Sequence, residues 1–219
     1  MKRFPWVLMF AAIFLVTFGF YISCEYRLRS TISQARQNLI TIASNAALGV
    51  SAEEVLKVPL VQKSEGTPEY MAVTSKLEKV KEANPSIKYV YIMTATEEPG
   101  ILQYVVDANP VPEIITAHCP TSLPGDKYDA RSIPELLNGY SGPAADKDVT
   151  KDVWGVFISG YAPIRDVNGK AVAILGVDID GNAILGMQKD AKKATIAALC
   201  TGLVLLISFA VSKKFFSVK

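Results

Sequence analysis

The residues able to carry chemistry are few. His118 is the one histidine among 219 residues, so a His-based metal site or charge relay lacks material. Neither Gly-x-Ser-x-Gly nor a phosphate-binding Gly-x-x-x-x-Gly-Lys loop occurs. His118 and Cys119 are neighbours, and neighbours in an extended stretch point to opposite sides, which opposes a thiol–imidazole pair. The Cys-x-x-Cys-His haem signature is absent. The chain is therefore expected to be no enzyme and to carry no cofactor. Asp146-Lys-Asp148-Val-Thr150-Lys-Asp152 sets oxygens at alternate positions, as a calcium loop does. Lys151 stands where such a loop needs its turn glycine and Phe157 where it needs its closing glutamate, so the stretch reads as a solvated turn without metal.

What remains is binding chemistry. Tyr91, Trp154 and Tyr161 offer flat apolar walls with polar tips, suited to a small polar ligand. Asp107 and Asp178 close strand-like runs and would accept hydrogen bonds from an amine or hydroxyl group. Each has an ordinary alternative. The aromatics would serve equally as core, Asp107 as an Asx turn before Asn109-Pro110, and Asp178 as a cap on the last helix.

The elements that must position these residues are legible from pattern. Thr67-Pro68-Glu69 is a helix start, a hydroxyl N-cap followed by proline and an acid, and Tyr70, Val73, Leu77 and Val80 form an apolar stripe behind it. Asn84-Pro85 ends that helix. Residues 87–94 and 101–107 are rich in β-branched and aromatic types and flank the turn Glu97-Glu98-Pro99-Gly100, which predicts a hairpin. Periodicity then fails over 108–149, apart from a short helix at 132–137. A loop that long is uncommon in a compact domain unless it is functional. Strands are predicted from Trp154 to Ile164 and over 171–178, joined by Asp166-Val-Asn168-Gly169, where Asn-Gly favours a tight hairpin. Tight turns make the sheet antiparallel and the class α+β.

Two segments lie outside this domain. Residues 4–24 and 194–211 carry no charge, and at about 1.5 Å per residue both can cross a hydrocarbon core of about 30 Å, the second only just. Both read as transmembrane helices. Met1-Lys2-Arg3 before the first imitates a signal peptide, but its apolar run exceeds the usual h-region of about 7–15 residues, so an uncleaved anchor is expected. Basic residues flank both ends of both segments, so charge alone does not orient them. The stretch 25–190 holds 16 basic and 21 acidic residues, and the whole chain has a net charge of +2, which gives no reason to expect nucleic acid as a partner. After the first segment, Leu28, Ile32, Ala35, Leu39, Ile42 and Ala46 recur at heptad spacing within a long helix expected over 25–58. That seam predicts either a parallel homodimer or packing on the chain's own domain.

The ordered set Tyr89-Val-Tyr91, Tyr104-Val-Val-Asp107-Ala108, Gly125-Asp-Lys-Tyr128-Asp129, Trp154-Gly155, Ser159-Gly-Tyr161-Ala-Pro163-Ile164 and Gly169-Lys-Ala-Val172 with Leu175-Gly-Val-Asp178-Ile179 resembles the extracytoplasmic Cache (PDC-type, PAS-like) sensor domains of bacterial receptors. The resemblance spans nearly half the chain. It implies a sensor domain over 59–181, exported between the two membrane helices, with both termini cytoplasmic. It also implies a small-molecule pocket between the sheet and the loop crossing it. Only residues 212–219 follow the second segment, so any signal is expected to leave through an output partner, unless this chain is part of a longer receptor. The competing reading is a membrane-anchored scaffold or interaction subunit that holds no ligand.

Overall fold

Helix α1 runs unbroken from Pro5 to Leu48 in the computed structural model, which describes residues 5–61, 63–108, 122–152 and 154–216. The long helix expected as far as residue 58 stops at Leu48, because Ser51 and Glu54 form a capping box that starts a new helix, α2, over Ala52–Lys57. Helix α3 covers Pro68–Ala83. Thr67 Oγ1 accepts from the Tyr70 amide at 3.3 Å, and the helix ends at Asn84 as the sequence predicts. Seven strands follow with two further helices: β1 Ile87–Ala95, β2 Ile101–Asp107, β3 Lys127–Asp129, α4 Pro134–Asn138, β4 Ala144–Ala145, β5 Thr150–Lys151, β6 Val156–Arg165, β7 Ala171–Asp180 and α5 Asn182–Phe216.

The chain divides into two units, one over 32–182 and the other made of both ends. The first is the sheet unit, a mixed helix and antiparallel-sheet domain of the predicted α+β class. Its strand order is β3-β2-β1-β7-β6-β4, with β5 also paired to β6. The two long hairpins, β1–β2 and β6–β7, meet along β1 and β7. Strands β3, β4 and β5 are two or three residues long; β3 and β4 fall inside the stretch read as irregular and β5 directly follows it. Such short pieces form only against a partner strand and leave no periodicity behind.

Side chains alternate between the two faces of a strand, so register assigns each residue to a face. Tyr91, Gly176 and Tyr161 form one row across β1, β7 and β6, and Tyr89, Asp178 and Ser159 form the next row on the same face. The other face is covered by helices. Tyr70, Val73 and Leu77 of α3 are buried there. Leu39 of α1 sits on Gly160, where an added Cβ would lie 2.6 Å from the Leu39 Cβ. Leu39 is 1% exposed, so the heptad seam is claimed at this position by the chain's own sheet and not by a second copy. Ile32, Ala35 and Ile42 remain half-buried.

In the unit made of the ends, Phe14, Thr17, Tyr21, Cys24 and Leu28 of α1 recur at heptad spacing, as do Ala191, Ala194, Ala198, Thr201, Ser208 and Ser212 of α5, and all are buried or half-buried. Cys24 packs on Ala191 and Ala194, and the Thr17 and Thr201 hydroxyls are 2.8 Å apart, which makes the pair antiparallel. Small residues let the two backbones approach closely without any hydrophobic drive between them. Both helices are long and apolar enough to cross a membrane.

Candidate ligand site

The site face is built on one glycine. A Cβ at Gly176 would fall 2.4 Å from the Tyr91 Cε2 and Cζ atoms and 2.8 Å from its hydroxyl oxygen, so Tyr91 lies across β7 only because that position has no side chain. Lying there, its hydroxyl donates to Asp178 Oδ1 at 3.1 Å. Ser159 pairs with Asp178 across β6–β7, and its side chain favours the charged form of the same carboxylate. Asp178 is buried, at 7% exposure. Burial pushes its carboxyl up to about 8, against the downward pull of the Ser159 and Tyr91 hydrogen bonds, and the charges of Asp146 and Asp152 add to the rise.

A second buried carboxylate stands beside it. Asp146 is 2% exposed and accepts from the Ser159 amide at 3.0 Å and the Tyr161 hydroxyl at 3.0 Å. Burial raises it to about 6. The reading of Asp146 as part of a solvated turn is therefore overturned. The donors that make its burial tolerable come from β6, thirteen and fifteen residues later, which no local pattern reveals. Ser159 stands between the two acids, its amide on Asp146 and its strand position directly opposite Asp178.

Asp152, half-buried, is the third acid. Its Oδ1 accepts from the Trp154 amide at 2.9 Å and the Gly155 amide at 3.2 Å, and its side chain meets that of Tyr128. Burial raises its pKa. Trp154 therefore stands in the turn before β6 and not on the predicted strand, which starts at Val156. Gly155, with φ of 143°, makes the turn.

The aromatic rings form a continuous run. Tyr91 meets Tyr104 with centroids 5.8 Å apart, Tyr104 meets Tyr128 at 6.3 Å and Trp154 at 6.4 Å, and Tyr128 meets Trp154 at 6.0 Å. Most are edge-to-face, the arrangement ring quadrupoles favour. Of the five residues proposed from sequence, Tyr91 and Asp178 are bonded directly, Trp154 joins through the ring run, and Tyr161 joins through Asp146. Asp107 pairs with Tyr91 across β1–β2, and its charge bears on Tyr104, while its backbone carbonyl accepts from the Tyr70 hydroxyl at 3.0 Å. Tyr104, Tyr128, Ser159, Asp146 and Asp152 were not singled out as ligand residues. Tyr104 lies on the same face as Tyr91 because the β1–β2 register shifts at Ile92/Met93; plain alternation from Asp107 would have put it on the other face. His118 and Cys119 lie outside the described residues.

No protein-family model matches the chain, and no curated relative matches it. Among solved structures it is similar to the ligand-binding domain of the Campylobacter jejuni chemoreceptor Tlp3 in complex with 4-methylisoleucine, at 13% identity and a TM-score of 0.47, covering 80% of this chain and 63% of that one. It is similar to the Escherichia coli DcuS sensor domain at 12% identity and a TM-score of 0.43, covering 76% and 98%. A third is the Pseudomonas fluorescens chemoreceptor CtaA ligand-binding domain in complex with L-isoleucine, at 18% identity and a TM-score of 0.43, covering 74% and 56%. The chain thus spans less than two thirds of the two chemoreceptor domains. Two of the three are chemoreceptor ligand-binding domains and one is a sensor domain.

Proposed function

We propose that this chain is a membrane-anchored, extracytoplasmic small-molecule sensor module of a bacterial signal-transduction receptor. In this reading residues 4–24 and 194–211 span the membrane, residues 59–181 are the exported sensor, and both termini are cytoplasmic. The ligand lies on the sheet face that carries Tyr91, Trp154, Tyr161, Asp107 and Asp178, beneath the 108–149 segment. The observation that carries the reading is Asp178, an acid buried among aromatic rings whose strongest contacts are hydroxyl groups. A stability-driven core has no use for such a group, because its charged form is penalised there. A ligand bearing an amine or hydroxyl group would relieve that penalty.

Binding transmits a signal only if two arrangements of the protein differ in affinity. Strand β7 carries Asp178, and Gly181 alone separates β7 from α5, so a shift of Asp178 is passed directly along the chain into the second membrane helix. An output partner then reads the motion of the helix pair.

A thermal-shift screen of the full chain in detergent against amines, amino acids and carboxylates tests this. A ligand at 100 times its dissociation constant adds about 2.7 kcal/mol, a clear rise in melting temperature. If nothing in the screen moves the melt, the ligand-free scaffold stands in place of the sensor. The module is further proposed to act as a homodimer along the membrane-proximal part of α1. A cysteine at Ile32 is expected to crosslink to its counterpart, whereas one at Leu39, which packs under the sheet, is expected not to. Crosslinking at Leu39 but not at Ile32 would reverse this assignment.

A further inference from the structure

The charge inventory of the site goes further than the sensor reading on which it rests. Asp178 lies at the Tyr91 end of the ring run and Asp152 at the Tyr128 and Trp154 end, with Tyr104 between them. Asp146 backs the same face through Ser159 and Tyr161. None of the groups acting most strongly on these three acids is a cation.

Of the nearby basic side chains, Lys127 and Lys151 are exposed, on the opposite side of their strands from Tyr128 and Asp152, and four others are engaged elsewhere. Lys88 lies over the Tyr89 and Phe157 rings and acts on Asp180. Lys147 pairs with Glu135 at 2.9 Å, and Arg36 donates to the Ala145 carbonyl. Arg131 pairs with Asp129. The segment 109–121, whose structure is not described, contains neither lysine nor arginine.

A ligand carboxylate placed on this face would meet acids and rings and find no positive partner among the described residues. A ligand ammonium would meet a carboxylate and an aromatic face together, the two surroundings that favour it. We propose that the site takes a short-chain dication, a diamine or polyamine without a carboxylate, with one ammonium at Asp178 and the second at Asp152. The rings between them cover the methylene chain and stack against both charged ends. Free amino acids are disfavoured, because their carboxylate has nothing to pair with.

Three probes of similar length separate the possibilities by calorimetry on the full chain in detergent: putrescine, butylamine and γ-aminobutyrate. Putrescine is expected to bind about tenfold or more tightly than butylamine, and γ-aminobutyrate more weakly than either. Asp152→Asn keeps the oxygen that accepts the Trp154 and Gly155 amides and removes the charge. It is expected to bring putrescine close to the affinity of butylamine, and an unchanged cooperative melt reports that the variant is folded.

The inference is overturned if γ-aminobutyrate matches putrescine, or if Asp152→Asn leaves the putrescine-to-butylamine ratio as it was. Binding of some other small molecule in the thermal screen, with no response to any of these amines, also overturns it and leaves the sensor reading intact. Silence towards every compound removes both.

Discussion

Asp178→Asn is expected to make the unliganded protein more stable at neutral and alkaline pH, and to weaken a cationic ligand by about tenfold or more. Burial holds the folded-state carboxyl near 8, whereas an exposed aspartate in the unfolded chain titrates near 4. Between these values the unfolded chain sheds its proton and the folded one keeps it. The stability tied to protonated Asp178 is therefore fully present below about pH 4 and is lost as pH rises through about 8. Asp146, raised to about 6, adds a smaller loss of the same sign over the lower part of that range.

Wild-type melting temperature should accordingly fall between about pH 5 and about pH 9. The asparagine variant, which cannot ionise, should fall less and melt above wild type at the alkaline end. Its amide keeps an oxygen for the Tyr91 hydroxyl, so the fold has no reason to rearrange. Ligand binding runs the other way. An ammonium favours the charged carboxylate, so binding releases a proton below about pH 8, and affinity should rise with pH by up to about tenfold per unit over that interval. A variant that is stabilised and silenced together marks a group kept for binding at the expense of stability. An asparagine variant that melts below wild type at high pH would contradict this account.

Gly160→Ala is the second large effect, and it acts from the opposite face. The new Cβ would lie 2.6 Å from the Leu39 Cβ and 2.8 Å from the Leu39 carbonyl carbon and oxygen. The obstacle is helix backbone and not the flexible tip of a side chain, so α1 must lift from β6. Overpacking of this kind costs about 1–3 kcal/mol, and in a unit of this size each kcal/mol lowers the melting temperature by about 2–4 °C. Leu39→Ala opens a cavity instead, at about 2–5 kcal/mol.

The double variant is diagnostic. Alanine at 39 retains the Cβ and the backbone that the new methyl group strikes, so Leu39→Ala should not rescue Gly160→Ala. Rescue would mean that α1 is not seated on β6 in this way. Gly160 lies between Ser159 and Tyr161, which together hold both buried acids, so the same displacement should also loosen ligand binding.

Local signals sufficed wherever the physics is local. The uncharged runs marked the two apolar helices, because membrane-length apolarity needs no partner to be recognised. Thr67-Pro68 and Asn84 bounded α3, and Asn168-Gly169 closed the β6–β7 hairpin, with Gly169 at φ of 79°. Strand β2 was legible as residues 101–107 because its β-branched and aromatic run is bounded by turn residues on one side and Asn-Pro on the other. From these, the α+β class and the antiparallel hairpins followed, together with Tyr91 and Asp178 as candidate ligand residues.

Tertiary structure decided the rest, because the remaining features depend on residues far apart in the chain. Asp146 sits in a stretch that looks solvated, and its burial depends on an amide and a hydroxyl delivered by β6. Gly176 and Gly160 are silent in sequence. Pairing of three strands makes one the bed for the Tyr91 ring and the other the seat for α1. The heptad seam read along α1 was real as a periodicity, but periodicity names a buried face without naming what buries it. At Leu39 the sheet arrives first, since a strand of the same chain is held there at high effective concentration while a second copy must pay to associate.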